Sequence, residues 1–110
     1  MLEGILGNAT AEKTLLYIEA YGEGYAPGIA DTFGLPSVTM VRRQLERFER
    51  AGLLVSVTKG RTRLFTWNPR YAFLSEIRTL LQKALKALPE TDRRRYFTER
   101  RRPRRTGKPR

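Results

Sequence analysis

The sequence contains no cysteine and no histidine among its 110 residues. Without cysteine the fold has no disulfide to hold it together. Without either residue type there is no thiolate or imidazole to bind a metal, and no nucleophile built on them. The absence of cysteine also fits a reducing compartment. We therefore expect no metal site.

Long hydrophobic runs are also missing. No apolar stretch approaches the ~20 residues that a membrane-spanning helix needs. The first residues, MLEG, lack the basic start and the apolar stretch of a secretory signal. These patterns predict a cytoplasmic protein without a membrane partner.

Acidic residues are scarce, at 11 against 22 lysines and arginines. The chain has no paired-carboxylate motif, no Walker phosphate loop, no nucleophile elbow and no metal-ligand set. Ser37 and Lys59 by themselves do not make a catalytic site. We therefore expect no catalytic residues, no cofactor and no enzymatic activity.

The net charge of +11 is unevenly distributed. Residues 1–41 hold one lysine against five acids, whereas residues 42–63 hold seven basic residues against two acids. Residues 64–92 are near balance, and residues 93–110 hold ten basic residues against one acid. Positive charge concentrated in two segments favours a polyanion partner, nucleic acid first and an anionic membrane surface second.

Apolar residues at helical spacing predict two helices in the acidic part of the chain. One covers residues 10–21 and is capped by Thr10; the other covers residues 26–33, with Pro27 in its first turn. The segment 2–8 before them is either a short helical turn or an extended arm.

A third, amphipathic helix is predicted over residues 37–51. Ser37 is its expected cap, and Gly52 follows its end in the position that favours a left-handed residue. Its apolar face consists of Val38, Val41, Leu45 and Phe48, with arginines on the other face. Glu46 and Arg50 have the spacing of an ordinary helical ion pair.

Two alternating runs, residues 53–58 and 62–67, enclose the turn Lys59-Gly60-Arg61 and predict a β-hairpin. In the second run Arg63, Phe65 and Trp67 share one side. The following Asn68-Pro69 ends the hairpin.

The next helix is predicted over residues 71–88, with an apolar stripe wide enough to cover its own domain and still meet a second chain. We expect residues 1–88 to form one domain that dimerises through this helix, and residues 89–110 to form a basic tail. Part of the tail, 90–101, has weak helical character, and 102–110 is expected to be disordered unless bound. The expected dimer residues are Leu74, Ile77, Leu81, Ala84 and Leu88.

This order of elements predicts a mostly α-helical winged helix-turn-helix with a small β-hairpin wing. The major groove is ~12 Å wide and admits one helix, so the helix over 37–51 would enter it while the wing over 58–63 holds the backbone. The residues expected to contact double-stranded DNA are Ser37, Thr39, Arg42, Arg43, Gln44, Arg47, Lys59, Arg61 and Arg63.

Several short motifs in this region resemble the small prokaryotic ArsR-type winged helix-turn-helix transcription regulators. The matching points are Ile29-Ala30 before Gly34-Leu35, Val41-x-Arg43-x-Leu45, Phe48-Glu49-x-Ala51-Gly52-Leu53-Leu54, Gly60-Arg61 and Phe65-x-Trp67-Asn68. The resemblance covers roughly residues 10–88. It implies a homodimeric DNA-binding regulator.

The chain departs from that family in three places. Metal-sensing members carry cysteines and histidines that are absent here, so the resemblance is to a non-metal-sensing type. The turn before the third helix, LPSV, is about one residue longer than usual, which leaves the register of Ser37, Thr39 and Met40 against DNA open. The arginine-rich tail is not part of the common core.

Other functions stay open at this stage. A basic helix face, a basic hairpin tip and a basic tail can each be merely solvated surface. The tail also suits an RNA- or ribonucleoprotein-binding module. Glu46 and Glu49 leave room for a protein–protein adaptor with a winged-helix fold.

Overall fold

The computed structural model describes residues 1–97, and the remainder of the expected tail, residues 98–110, lies outside the described residues. Six helices and one antiparallel hairpin occur in this part of the chain, which confirms the predicted fold class. They are α1 Glu3–Leu6, α2 Ala9–Tyr21, α3 Ala26–Phe33, α4 Val38–Arg50, β1 Leu54–Lys59, β2 Thr62–Trp67, α5 Leu74–Ala87 and α6 Glu90–Phe97.

The caps fix where two of these helices begin. Ser37 caps α4 as predicted, because its Oγ accepts a hydrogen bond from the Met40 backbone N–H at 3.1 Å. The predicted Thr10 cap of α2 is wrong. Asn8 takes that place, since its Oδ1 accepts from the Ala11 N–H at 2.8 Å and satisfies a donor that would otherwise lack a partner.

The end of α4 is built so that the chain turns directly into the hairpin. Gly52 adopts the left-handed conformation with φ 88°, which lets the Leu53 N–H return to the Phe48 carbonyl at 3.0 Å. Asn68 then ties both ends of the hairpin together, because its side-chain amide donates to the Gly52 carbonyl at 2.8 Å and its backbone N–H to the Leu53 carbonyl at 2.9 Å.

The core is a helical bundle in which α4 packs against α2 and α3, and α5 packs against α2. The side chains of Leu15, Ile18, Ile29, Val41 and Leu45 are all fully buried. Each such side chain contributes roughly 1.5–3 kcal/mol through removal of apolar surface from water. The predicted apolar face of α4 is therefore the face that anchors it.

The hairpin is attached to the bundle at β2. Phe65 exchanges two backbone hydrogen bonds with Gly24, at 3.0 and 2.8 Å, and its ring is buried. A Cβ at position 24 would stand 2.9 Å from the Ile29 methyl and 3.1 Å from the Tyr17 ring, so any other residue would require these groups to shift, whereas glycine permits the close approach directly. The hairpin is thus held firmly beside α3 and α4.

The two faces of the hairpin differ sharply. In its register Leu54 lies opposite Trp67 and Ser56 opposite Phe65, and these residues face the bundle. Val55 and Val57 lie on the other face and are exposed. As predicted, Arg63 shares its side of the strand with Phe65, which turns Arg63 towards α4.

The residues predicted for a dimer interface on the apolar stripe of α5 differ in their burial. Leu81 and Ala84 are buried within the chain itself, and Leu74, Ile77 and Leu88 are half-buried against the same core. The stripe faces inward because burying its apolar side chains against the core is favourable, and the ion pair between Arg78 Nε and Glu19 Oε1 at 2.8 Å adds a polar contact between α5 and α2. The hydrogen bond to Glu19 also raises the pKa of Arg78. Leu81 and Ala84 have no surface left to offer to a second chain.

The core continues beyond residue 88, where we expected the tail to begin. The helix α6 packs on the bundle, with the Tyr96 ring 5.0 Å from Phe33 and the Phe97 ring 5.8 Å from it. The Tyr21 hydroxyl donates to the Tyr96 carbonyl. The contacts of the aromatic residues at the end of α6 therefore stabilise this helix by more than the mutual repulsion of its arginines destabilises it.

Candidate nucleic-acid interface

The outer side of α4 carries a ridge of polar residues. At 3.6 residues per turn, Thr39, Arg43 and Arg50 fall within about 40° of one another around the helix axis. All three are exposed, opposite the buried Val41 and Leu45. Arg43 has no hydrogen bond or ion pair within residues 1–97, so its guanidinium is available. We call Thr39, Arg43 and Arg50 the α4 ridge.

One flank of α4 is connected to α1. Arg47 donates from Nη2 to the Leu6 carbonyl at 2.7 Å, and from Nε and Nη2 to Gln44 Oε1 at 3.1 and 2.9 Å. Its guanidinium also lies over the Phe48 ring, 4.6 Å from the centroid. Arg47 and the Gln44 carbonyl, both expected to contact DNA, are therefore engaged inside the chain.

The other flank of α4 is connected to the hairpin through Arg63. Its guanidinium lies 3.3 Å from a Glu46 oxygen and 2.5 Å from a Glu49 oxygen, and Nε donates to Ser56 Oγ at 3.1 Å. Ser56 in turn donates to Glu49 at 2.6 Å. We call Arg63, Glu46, Glu49 and Ser56 the wing brace.

The wing brace differs from what the sequence indicated. Glu46 pairs with Arg63 rather than with Arg50, because the inner face of β2 brings a cation against this side of α4. The roles of Glu46, Glu49 and Ser56 were not predicted. The alternation of β2 did contain a signal for them, since Arg63 shares a face with the aromatic Phe65.

The tip of the hairpin presents the two remaining basic residues that we predicted for the wing. Lys59 and Arg61 are exposed and have no side-chain partner among the described residues. One cleft of about 240 Å³ is lined by Arg61 of the hairpin turn and Arg42 of α4, together with Arg63, Tyr25 and Pro27. We call this the arginine cleft. The hairpin turn and the part of α4 that holds Arg42 therefore face the same cleft.

The described part of the chain holds neither a metal-binding group of side chains nor a membrane-spanning helix. Within residues 1–97 no three acidic side chains come together in a way that could hold a metal ion. Over the same residues, no helix has the length and apolar character required to cross a bilayer.

Comparison with known proteins gives one informative likeness. No protein-family model matches the chain, and no curated protein matches it. Among solved structures the chain is similar to ZitR of Lactococcus lactis, determined as a double mutant in the apo form. The TM-score is 0.53 at 18% sequence identity, over 84% of this chain and 71% of that one. At this identity the likeness shows the winged-helix fold.

Proposed function

We propose that the chain is a sequence-specific, double-stranded DNA-binding transcription regulator of the ArsR-like, non-metal-sensing kind. It would act in the cytoplasm, associated with the nucleoid. The observation that carries the proposal is that Arg42 of the exposed helix α4 and Arg61 of the basic hairpin line one cleft. An exposed helix beside a basic hairpin has the form that docks into a major groove.

Within this proposal the α4 ridge reads bases. Arg43, placed bidentate on guanine, is worth ~1–3 kcal/mol of discrimination. Thr39 lies one turn earlier on the same ridge. Ser37 caps the helix through its Oγ and keeps its hydroxyl proton for a phosphate. Among residues 1–97 the side-chain amide nitrogen of Gln44 has no hydrogen-bond partner, so it is available at the flank of the ridge.

Four other basic residues predicted to contact DNA divide into two groups. Lys59 and Arg61 project from the wing tip and suit phosphate contacts, which position a protein without choosing a sequence. Arg47 and Arg63 are held by partners within the chain, so we assign them chiefly to fixing the orientation of α4 and the wing.

We further propose a homodimer, which would place two recognition helices ~34 Å apart on a pseudo-palindromic site. The terminal helices remain the best candidates for its interface, through the partly exposed residues of the predicted stripe and two further apolar side chains. Ile5 of α1 and Phe73 before α5 are large apolar side chains left exposed, at 71% and 62%. The half-exposed parts of Leu74, Ile77 and Leu88 add to them.

The remaining tail carries seven basic residues and one acid over 98–110. We propose that it strengthens binding to any nucleic acid through phosphate contacts. Such contacts also suit RNA, which keeps an RNA- or ribonucleoprotein-binding function as the alternative.

Selection of bound fragments from a random duplex pool, at a stated salt concentration, tests the proposal. A regulator should enrich one motif, and a dimer should enrich two half-sites about one helical turn apart. Enrichment of no motif, together with tighter binding to structured RNA than to duplex DNA, would favour the RNA alternative. Failure to bind either nucleic acid would leave the protein-adaptor alternative.

A further inference from the structure

The arginine cleft holds positive charge that the carboxylates of the described residues do not fully pair. Arg42 from α4, Arg61 from the hairpin turn and Arg63 from β2 all line it, and among the described residues no carboxylate does. The charge of Arg63 is balanced from outside the cleft by Glu46 and Glu49. Arg42 and Arg61 have no such partner within residues 1–97.

Bringing two unpaired guanidinium groups to one concave surface is unfavourable unless an anion joins them. The two arginines are 19 positions apart in sequence, so the fold and not chain proximity places them together. A guanidinium presents planar N–H donors that match the oxygens of phosphate. The chemistry of the cleft therefore favours a phosphate group as its occupant.

The size and walls of the cleft support the same conclusion. Its volume of about 240 Å³ is roughly eight times the ~30 Å³ that one water occupies in the liquid, which leaves room for a phosphate and part of its ester. Tyr25 forms part of the side wall, and its ring packs on the backbone of Gly28, where an added Cβ would stand 2.5 Å from it.

We propose that the arginine cleft is a phosphate-binding site, in which Arg42 and Arg61 hold a single phosphate from opposite walls. Arg42 then acts on the backbone and not on base edges, unlike Arg43 on the ridge. The phosphate comes from the DNA backbone if the proposed regulatory function is right. A free phosphorylated small molecule offers the same chemistry, and the test separates the two sources.

The first arm examines the site without DNA. Inorganic phosphate is titrated into the full chain at constant ionic strength, and the arginine side-chain N–H signals are followed by NMR. We expect saturable shifts at Arg42 and Arg61, with no such shift at the exposed Arg70 outside the cleft. Equal, non-saturating shifts at all arginines would overturn the site, whatever the chain does with DNA.

The second arm tests whether the phosphate comes from the DNA backbone and whether Arg42 and Arg61 share one phosphate. The variants Arg42→Gln, Arg61→Gln, their combination and the control Arg70→Gln are compared for binding to a random-sequence duplex at several salt concentrations. If Arg42 and Arg61 share one backbone phosphate, the combined variant should reduce the magnitude of the slope of log K against log salt by about 0.9. A fall of about twice that size would mean two separate contacts and would overturn the shared site.

The remaining results also discriminate. Saturation by inorganic phosphate with unchanged salt slopes supports the site with a free phosphorylated compound as its ligand. Saturation in a chain that binds no DNA supports the site while refuting the proposed function. The backbone NMR spectrum of each variant verifies that it is folded.

Discussion

The wing brace places a net charge of −1 beside a surface that we propose meets DNA. Replacing both of its carboxylates, as in Glu46→Gln with Glu49→Gln, is expected to tighten binding to any duplex. Each amide keeps the shape of the original side chain and one of its two oxygen acceptors. The change therefore removes charge with little change in packing.

The size of the effect follows from two contributions. A carboxylate about 10 Å from a phosphate repels it by roughly 0.4 kcal/mol in water, and screening limits the sum over neighbouring phosphates to about 0.5 kcal/mol, a factor of about two. Release of Arg63 for one phosphate would add a contact and steepen the salt slope by about 0.9. From these two contributions together, we expect the double variant to bind duplex DNA about three- to tenfold more tightly at low salt.

The loss of fold stability should be small. The Arg63 side chain is 43% exposed, and Glu46 and Glu49 are 37% and 30% exposed, so each ion pair contributes at most about 1 kcal/mol. Urea unfolding of the double variant checks that it remains folded under the binding conditions.

The assay is fluorescence anisotropy of a labelled random-sequence duplex over a range of salt. The matched control is Glu76→Gln with Glu90→Gln, which removes the same two charges from the exposed surfaces of α5 and α6. Equal tightening in the control would show that only net charge matters. Weaker binding in the brace variant would refute the reasoning, since the fixed position of the wing would then matter more than the repulsion.

Three further predictions concern the ridge, the tail and the core. Arg43→Ala should weaken binding to the selected site by about 1–3 kcal/mol and affect non-specific duplex much less; equal losses in a gel-shift titration would contradict base reading. Ending the chain after Phe97 should flatten the salt slope without lowering stability, whereas an unchanged slope would show that residues 98–110 make no phosphate contacts. Leu81→Ala should lower the free energy of unfolding by about 2–5 kcal/mol in urea, and the exposed Lys83→Ala should change it by less than about 0.5 kcal/mol.

The order and type of the elements could be predicted because their signals are local. Val41, Leu45 and Phe48 recur at helical spacing, and the run around Lys59-Gly60-Arg61 alternates as a hairpin does. Ser37 and Gly52 mark the ends of α4 through backbone chemistry that involves only near neighbours. Such features predicted the winged-helix architecture and the apolar face that anchors α4.

The candidate site could be predicted only in part, since its pairings join distant segments. Glu46 has an equally spaced arginine on its own helix, and sequence spacing cannot show that Arg63, 17 positions away, is nearer. Nor can it show that Arg47 reaches the carbonyl of Leu6.

What the sequence alone determined is a basic, cysteine- and histidine-free chain with an amphipathic arginine-rich helix before a hairpin. Composition and periodicity fix these properties because they require no knowledge of distant neighbours. Only the tertiary structure decided which arginines are neutralised within the chain and which remain available. It turned Arg63 inward onto two glutamates and left Arg42 and Arg61 facing one cleft, because packing of β2 against α4 sets distances that no local pattern encodes.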